Sequence, residues 1–150
     1  MLGLPRQTYR RKAVSTLRLR PGNTVVEIGC GTGPRFPLVE QMIGPEGRII
    51  GVDLTDAMLA QAQRRVRTRG WRNVRLVQAD ALEFEFPAGV DAIVPTFALT
   101  LVPECVAEVV ARSSAALAPG ERSVVPACRL PPNAPAGWRR ATWRSCRPSE

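Results

Sequence analysis

The chain has 150 residues, 45% of them hydrophobic, which is the length and composition of a single globular domain. It contains no run of about 20 apolar residues, and its basic first residues lack the apolar stretch of a secretion signal, so we expect neither a membrane span nor export. The net charge of +8 suggests a nucleic-acid partner, but every basic residue except Lys12 is arginine, a bias typical of GC-rich coding. Because no aromatic residues are interleaved with the arginines, we predict no nucleic-acid partner.

Along the chain, short apolar runs alternate with segments whose apolar residues recur at helical spacing. The short runs predict five strands, at residues 24–28, 48–53, 74–78, 90–94 and about 122–125. The helical segments lie at residues 8–19, about 35–42, 56–69 and 104–117. This alternation predicts an α/β fold, a doubly wound parallel sheet with right-handed crossovers.

The turn after the first strand holds the most informative motif, Val-Val-Glu-Ile-Gly-Cys-Gly-Thr-Gly at residues 25–33. Glycine lets a backbone approach a ligand closely, because it has no Cβ and tolerates unusual dihedral angles. A dinucleotide fingerprint needs the spacing G-x-G-x-x-G, whereas these glycines fall G-x-G-x-G and Pro34 holds the sixth position. Glu27 would repel a diphosphate and attract a ligand that carries ammonium and sulfonium groups.

Two further acids follow the next two predicted strands. Asp53 lies about twenty residues after the glycine turn, a spacing that suits a carboxylate accepting both hydrogen bonds from a ribose diol. Taken alone, Asp53 would fit the ribose of a nicotinamide dinucleotide equally well. It could also be a solvated acid at a strand end or the cap of the next helix. Asp80 and Ala81 follow the third strand, and the alternative there is a surface loop shared with Glu83 and Glu85.

Together, residues 25–33, Asp53 and Asp80 resemble successive motifs of the class I S-adenosylmethionine (SAM) methyltransferases. The resemblance covers about residues 9–125 and is nearest to the ubiquinone/menaquinone and bacterial phospholipid methyltransferases. It also rests on Y-R-R-K-A-V at residues 9–14, G-P-E-G-R-I-I-G-V-D-L-T-D-A-M-L at residues 44–59 and G-W-R-N-V at residues 70–74. It implies a Rossmann-like sheet of strand order 3-2-1-4-5, SAM as the cofactor, and methyl transfer to a small-molecule or lipid acceptor.

The resemblance implies a role for each part of these motifs. The glycine loop would hold the methionine part of SAM, Asp53 the ribose diol, and Asp80 the exocyclic amine of the adenine. Leu54 would pack beside the adenine or ribose, and the backbone N–H of Ala81 would meet a ring nitrogen. The residues after the fourth strand would line the cofactor and face the acceptor. The implied cofactor-binding residues are Glu27, Gly29, Cys30, Gly31, Gly33, Asp53, Leu54, Asp80, Ala81, Thr96 and Phe97.

Neither a metal site nor a catalytic base is predicted. Histidine is absent, and the four cysteines are scattered without a C-x-x-C pair, which favours reduced thiols in a cytoplasm over disulfides or zinc. Methyl transfer from a sulfonium is an in-line displacement at a carbon that is already activated, so orientation and exclusion of water suffice.

The two ends depart from the family pattern. We expect residues 1–125 to form the SAM-binding core and residues 126–150, rich in proline and arginine, to form an irregular tail, with the C-terminal strands of such domains missing. The alternative function is therefore a truncated, catalytically silent SAM-binding module. A nicotinamide-linked oxidoreductase is disfavoured by Glu27, Pro34 and Asp80.

The arginines of the helix at residues 56–69 give a further expectation. We predict that they form a solvated face, with peripheral contact to anionic lipid as the less favoured alternative. No feature of the sequence indicates an oligomeric state. The arginines concerned are Arg64, Arg65, Arg67 and Arg69.

Overall fold

A computed structural model describes residues 17–95 and 115–123, together with residues 11, 14, 15, 108, 109, 111 and 112. The strands of this part are β1 (Thr24–Ile28), β2 (Arg48–Asp53), β3 (Val74–Gln78), β4 (Val90–Pro95) and β5 (Leu117–Ser123). Its complete helices are α1 (Phe36–Ile43) and α2 (Asp56–Arg69), and residues 11, 14, 15, 108, 109, 111, 112, 115 and 116 are also helical. None of the described helices is long and apolar enough to cross a membrane.

The strands form one sheet in the order β3-β2-β1-β4-β5, and every paired strand runs parallel to its neighbour. This confirms the predicted α/β, Rossmann-like, doubly wound fold and its strand order 3-2-1-4-5. A parallel sheet of this kind brings the carboxyl ends of all its strands to one edge. The predicted tail at residues 126–150 lies outside the described residues.

The core lies on both faces of the sheet, which is why its central strands are almost wholly apolar. Successive residues of β1 point to opposite faces, so Val25 joins one buried cluster and Val26 the other. The first cluster takes in the apolar residues of α1 and α2, and the second includes Phe84 and the helical Val109. The glycine turn that follows β1 is therefore anchored in a strand with no solvent-facing side.

The fifth strand differs from its prediction. It begins at Leu117, directly after the helical Ala116, rather than at about residue 122. Leu117 pairs with Val90, but the next paired residues are Arg122 and Ala92, so β5 holds extra residues opposite β4. This irregularity accommodates Pro119, which lacks an N–H and is tolerated at such positions of a sheet. The sequence Pro-Gly was therefore wrongly interpreted as the boundary before the strand.

The amino ends of the strands are fastened by side chains. The Asn73 amide, just before β3, donates to Glu40 Oε2 at 2.9 Å and to the carbonyl oxygens of Gly44 and Gly47 at 3.1 and 3.0 Å. On the other side of β1, Asp91 Oδ2 accepts the N–H of Thr24 at 2.6 Å. These bonds stabilise the edge of the sheet opposite to the glycine turn.

Phe36, the first residue of α1, packs against β2 at a glycine. A Cβ placed on Gly51 would lie 2.7 Å from Phe36 Cζ, 3.0 Å from Leu76 Cδ2 and 3.1 Å from Cys30 Sγ. The ring is completely buried, so α1 can approach the sheet this closely only because residue 51 has no side chain.

Replacing Gly51 with alanine should therefore overpack the core. We expect Gly51→Ala to lower the free energy of unfolding by about 1–3 kcal/mol, measured by urea denaturation. Gly51→Ala combined with Phe36→Leu should lose less than the sum of the two single changes, because leucine removes the nearest contact. Strict additivity of the two losses would contradict this packing account.

Candidate functional site

The glycine loop, defined as residues 29–33, leaves the carboxyl end of β1. Gly29, Gly31 and Gly33 have φ values of 68°, 58° and 68°, which favour glycine because a Cβ is strained there. A Cβ on Gly33 would lie 2.5 Å from the Phe36 ring, whereas no described atom lies within 4 Å of a Cβ on Gly31. Gly33 thus serves packing, and Gly31 leaves open space over the loop.

The loop is held by hydrogen bonds from several elements. The N–H of Cys30 donates to the carbonyl of Val52 at 2.9 Å, which continues the pairing of β1 with β2. Arg65 Nε of α2 donates to the carbonyl of Thr32 at 3.1 Å. The predicted solvated arginine face therefore needs a correction: Arg64 is exposed, but Arg65 is half-buried and fastens the glycine loop.

Arg65→Ala should loosen this loop without disturbing the core. We expect ligand binding at the loop to weaken about threefold to tenfold, because the lost hydrogen bond positions the loop and does not contact the ligand itself. Arg64→Ala, which removes the neighbouring exposed arginine and the same net charge, is the matched control. Equal losses in the two variants would show that overall charge, rather than the Arg65 contact, is responsible.

Asp53, the last residue of β2, lies next to the glycine loop. Its Oδ2 accepts the N–H of Gly31 at 2.8 Å, and its Oδ1 accepts the N–H of Thr55 at 2.9 Å. Each carboxylate oxygen has a second lone pair, so the group is fixed in orientation and can still accept hydrogen bonds from a ligand. The link between Asp53 and Gly31 joins two motifs that are 22 residues apart in the sequence.

Glu27 is placed differently from the simple sequence interpretation. It is only 1% exposed and pairs with the equally buried Arg35, whose Nη1 lies 3.3 Å from Glu27 Oε1. The carboxylate is thus next to the loop but already accompanied by a cation. Arg35 was not predicted from the sequence, because nothing there distinguishes this arginine from the many others in the chain.

Cys30 occupies the first position between the loop glycines and is buried. Burial raises the pKa of its thiol well above the usual range, and the negative charges of Glu27 and Asp53 raise it further. The thiol therefore stays protonated at neutral and mildly alkaline pH, which excludes it as a thiolate nucleophile.

This raised pKa gives a simple chemical test. In the folded chain at pH 8, we expect alkylation of Cys30 by iodoacetamide to be at least about 100-fold slower than in urea, measured by peptide mass spectrometry. Because the thiolate is the reactive form, the rate in urea should level off above the ordinary thiol pKa of about 8.5, whereas the native rate should continue to rise with pH beyond it. Equal rates in folded and unfolded chain at pH 8 would contradict this burial.

Asp80 and Ala81 lie in the turn after β3 and are half-buried, while the neighbouring Glu83 is exposed. Asp80 Oδ1 accepts the N–H of Leu82 at 2.8 Å, which fixes the carboxylate over its own turn. The turn is tied to the end of β2, since the N–H of Ala79 donates to the carbonyl of Asp53 at 3.1 Å.

Two large apolar side chains stay exposed, one directly after Asp53 and one in the first turn of α2. Leu54 is 64% exposed and Met58 is 42% exposed, although both are large and hydrophobic. Leu54 directly follows Asp53, and its carbonyl accepts a hydrogen bond from Gln78 Nε2 at 3.2 Å. The structure thus places most of the predicted site residues along the carboxyl ends of β1, β2 and β3, whereas Thr96 and Phe97 lie outside the described residues.

Comparison with known proteins shows the family of the chain. Residues 25–120, most of the chain, match a family model described as a methyltransferase domain. The chain belongs to the methyltransferase domain family. This confirms the predicted SAM-dependent methyltransferase family, with SAM as its cofactor, and favours it over a nicotinamide-linked oxidoreductase. A demethylmenaquinone methyltransferase of Geobacillus stearothermophilus is 28% identical to this methyltransferase domain over 97 residues, 64% of the chain.

Solved structures share the fold. A SAM-dependent methyltransferase from Aquifex aeolicus superposes with a TM-score of 0.64 at 22% identity, over 76% of this chain and 61% of that one. The geranyl diphosphate C-methyltransferase of Streptomyces coelicolor, in complex with Mg²⁺, geranyl diphosphate and S-adenosyl-L-homocysteine, gives 0.70 at 24% identity, over 79% of this chain and 44% of that one. The methyltransferase domain spans 42% of the Geobacillus relative's length.

Proposed function

We propose that this domain binds SAM along the carboxyl ends of β3, β2 and β1 and transfers its methyl group to a small-molecule acceptor. The observation that carries the proposal is the contact between Asp53 and Gly31. It fixes a carboxylate, with lone pairs to spare, beside a loop that leaves space for a ligand. The ribose diol of SAM needs a hydrogen-bond acceptor such as this carboxylate, and its methionine part needs open space such as that over the neighbouring loop.

The neighbouring residues fit the rest of the cofactor. The exposed apolar surface of Leu54 and Met58 suits the flat face of an adenine, whose burial would remove this surface from water. Asp80 and the N–H of Ala81 suit the hydrogen-bonding edge of the same ring. The open backbone at Gly31 suits the methionine part, which a side chain at that position would exclude.

Bound SAM supplies a methyl group already activated by its sulfonium. The residues of this domain would then act by binding and orienting the cofactor and by keeping water from the transferred group. Such positioning can account for about 7–11 kcal/mol of the barrier, so no nucleophilic residue is required. Cys30 takes no part as a nucleophile, because its buried thiol stays protonated.

The acceptor is proposed from the relatives' names and from the predicted position of Thr96 and Phe97. One relative is named for demethylmenaquinone and another for geranyl diphosphate, both small molecules with an apolar part. We propose an acceptor of the same class for the present domain, a small molecule with an apolar part. A membrane lipid is the other acceptor that fits this description. A cytoplasmic location and the absence of a nucleic-acid partner remain predictions.

Calorimetric titration of the purified chain with SAM, S-adenosylhomocysteine (SAH) and NADH tests the proposal. We expect micromolar binding of SAM and SAH and none of NADH. Transfer of radiolabelled methyl from SAM to a demethylmenaquinone analogue then tests turnover. Binding without transfer to any small-molecule or lipid acceptor would favour the silent module, and failure to bind SAM would overturn the proposal.

A further inference from the structure

We propose that Arg35 determines how strongly the site distinguishes SAM from SAH, by neutralising Glu27 next to the glycine loop. SAM carries a positive sulfonium, whereas the product carries a neutral thioether sulfur at the same place. This inference rests on the proposed function. It assigns a selectivity role to a residue outside the motifs that indicated the cofactor.

The position of the ion pair is the first support. Glu27 lies in β1, just before the glycine loop, and Arg35 lies just after the loop and caps α1. The pair therefore brackets residues 29–33, although the two residues are 8 positions apart in the sequence. Both side chains are almost completely buried, so water screens their charges little.

The contact itself is limited, which is the second support. Nη1 of Arg35 lies 3.3 Å from Glu27 Oε1, the long end of the hydrogen-bond range. Nε of Arg35 is buried and has no hydrogen-bond partner among the described residues. A guanidinium with one long contact and an unpartnered Nε indicates that its charge matters here more than its hydrogen-bonding geometry.

The electrostatics of Cys30 supply the third support. The thiol lies inside the loop, and the negative charges of Glu27 and Asp53 both raise its pKa, after burial. Two carboxylates therefore act on the loop interior, and Arg35 is the buried cation that pairs with one of them, Glu27. A variant without the guanidinium has one positive charge fewer next to the loop.

SAM and SAH differ mainly in the charge on sulfur, so the ratio of their dissociation constants reports the potential at the loop. Removing the guanidinium should stabilise the sulfonium and leave the thioether nearly unaffected. At a separation of several ångströms in a partly screened site, we expect the preference for SAM to rise about threefold to tenfold in Arg35→Gln. Arg35 thus limits the preference for SAM and allows the product to bind comparably well.

The experiment is a calorimetric titration of the full chain with SAM and with SAH at pH 8. The variants are Arg35→Gln, Arg35→Lys, Glu27→Gln and the double change of both residues to glutamine. Relative to the wild type, we expect the preference for SAM to rise in Arg35→Gln and to fall about threefold to tenfold in Glu27→Gln. Arg35→Lys and the double variant, which keep the local net charge, should stay within about twofold of the wild-type ratio.

A structural role for Arg35 would weaken both ligands equally and leave the ratio unchanged. Unchanged ratios in the two folded single variants therefore overturn the inference while SAM binding itself stands. Leaving one buried charge unpaired is costly, so either single variant can fail to fold. If one single variant does not fold, the other one decides. In the double variant, a change of more than about threefold in the ratio of the SAM and SAH dissociation constants also overturns the inference. If the wild type binds neither ligand, the proposed function fails instead.

Discussion

Asp53→Ala is expected to weaken SAM binding by about a hundredfold or more. The carboxylate would accept two hydrogen bonds from the ribose diol, each worth about 1.5–3 kcal/mol because the acceptor is charged, and every 1.4 kcal/mol is about tenfold in affinity. The change also removes the acceptor for the N–H groups of Gly31 and Thr55, so the loop and the start of α2 lose their common anchor. Calorimetry with SAM measures the affinity directly.

The matched control is Asp91→Ala. Asp91 is likewise half-buried and accepts a backbone N–H, that of Thr24 at 2.6 Å, but it lies at the amino ends of β4 and β1. We expect Asp91→Ala to reduce stability in urea and to leave the affinity for SAM within about twofold. If the two variants lost the same affinity, general destabilisation would explain the result and the assignment of Asp53 would be wrong.

Gly31→Arg is expected to abolish measurable SAM binding while the domain stays folded. The arginine side chain would enter the open space over the loop, where no described atom lies within 4 Å of the Cβ position. The backbone φ of +58° adds a stability cost of about 1–2 kcal/mol for a residue with a Cβ. Circular dichroism and urea denaturation measure any loss of folding, and calorimetry measures the loss of SAM affinity.

Gly70→Arg controls for the backbone strain. Gly70 ends α2 with a φ of +67°, and no described atom lies within 4 Å of its Cβ position. Gly70→Arg therefore has a similar conformational cost and adds the same charge, but away from the glycine loop. Retained binding in Gly70→Arg beside lost binding in Gly31→Arg would assign the loss to the occupied space. Full SAM binding by Gly31→Arg would place the ligand elsewhere.

The sequence predicted those parts of the fold that depend on local pattern. Mainly apolar runs identified β1, β2 and β4, because a parallel strand covered on both faces has no solvent-facing side. The edge strand β3 was recognisable from Val74, Leu76 and Val77, although Arg75 and Gln78 are exposed. The glycine loop and Asp53 were recognisable since each directly follows such a run. The loop spacing with Pro34, together with Glu27 and Asp80, distinguished this site from a dinucleotide site.

Contacts between distant parts of the chain could not be predicted from the local sequence pattern. The ion pair of Glu27 with Arg35 and the bond from Arg65 to the Thr32 carbonyl depend on how α1 and α2 lie against the loop. In a sequence with 21 basic residues, almost all arginine, no spacing distinguishes Arg35 and Arg65 from the others. The early start of β5 was missed for a related reason, since only its pairing with β4 extends the strand through Pro119.

The hydrogen bonds at the amino ends of the strands have a consequence for how the sequence of such a domain can evolve. Asn73 ties the end of α1 and the loop before β2 to β3, and Asp91 ties β4 to β1, all without any contribution from the ligand edge. Mutations that alter the opposite edge therefore leave these links intact. The edge with the glycine loop can therefore vary in sequence while the links at the other edge keep the strands together.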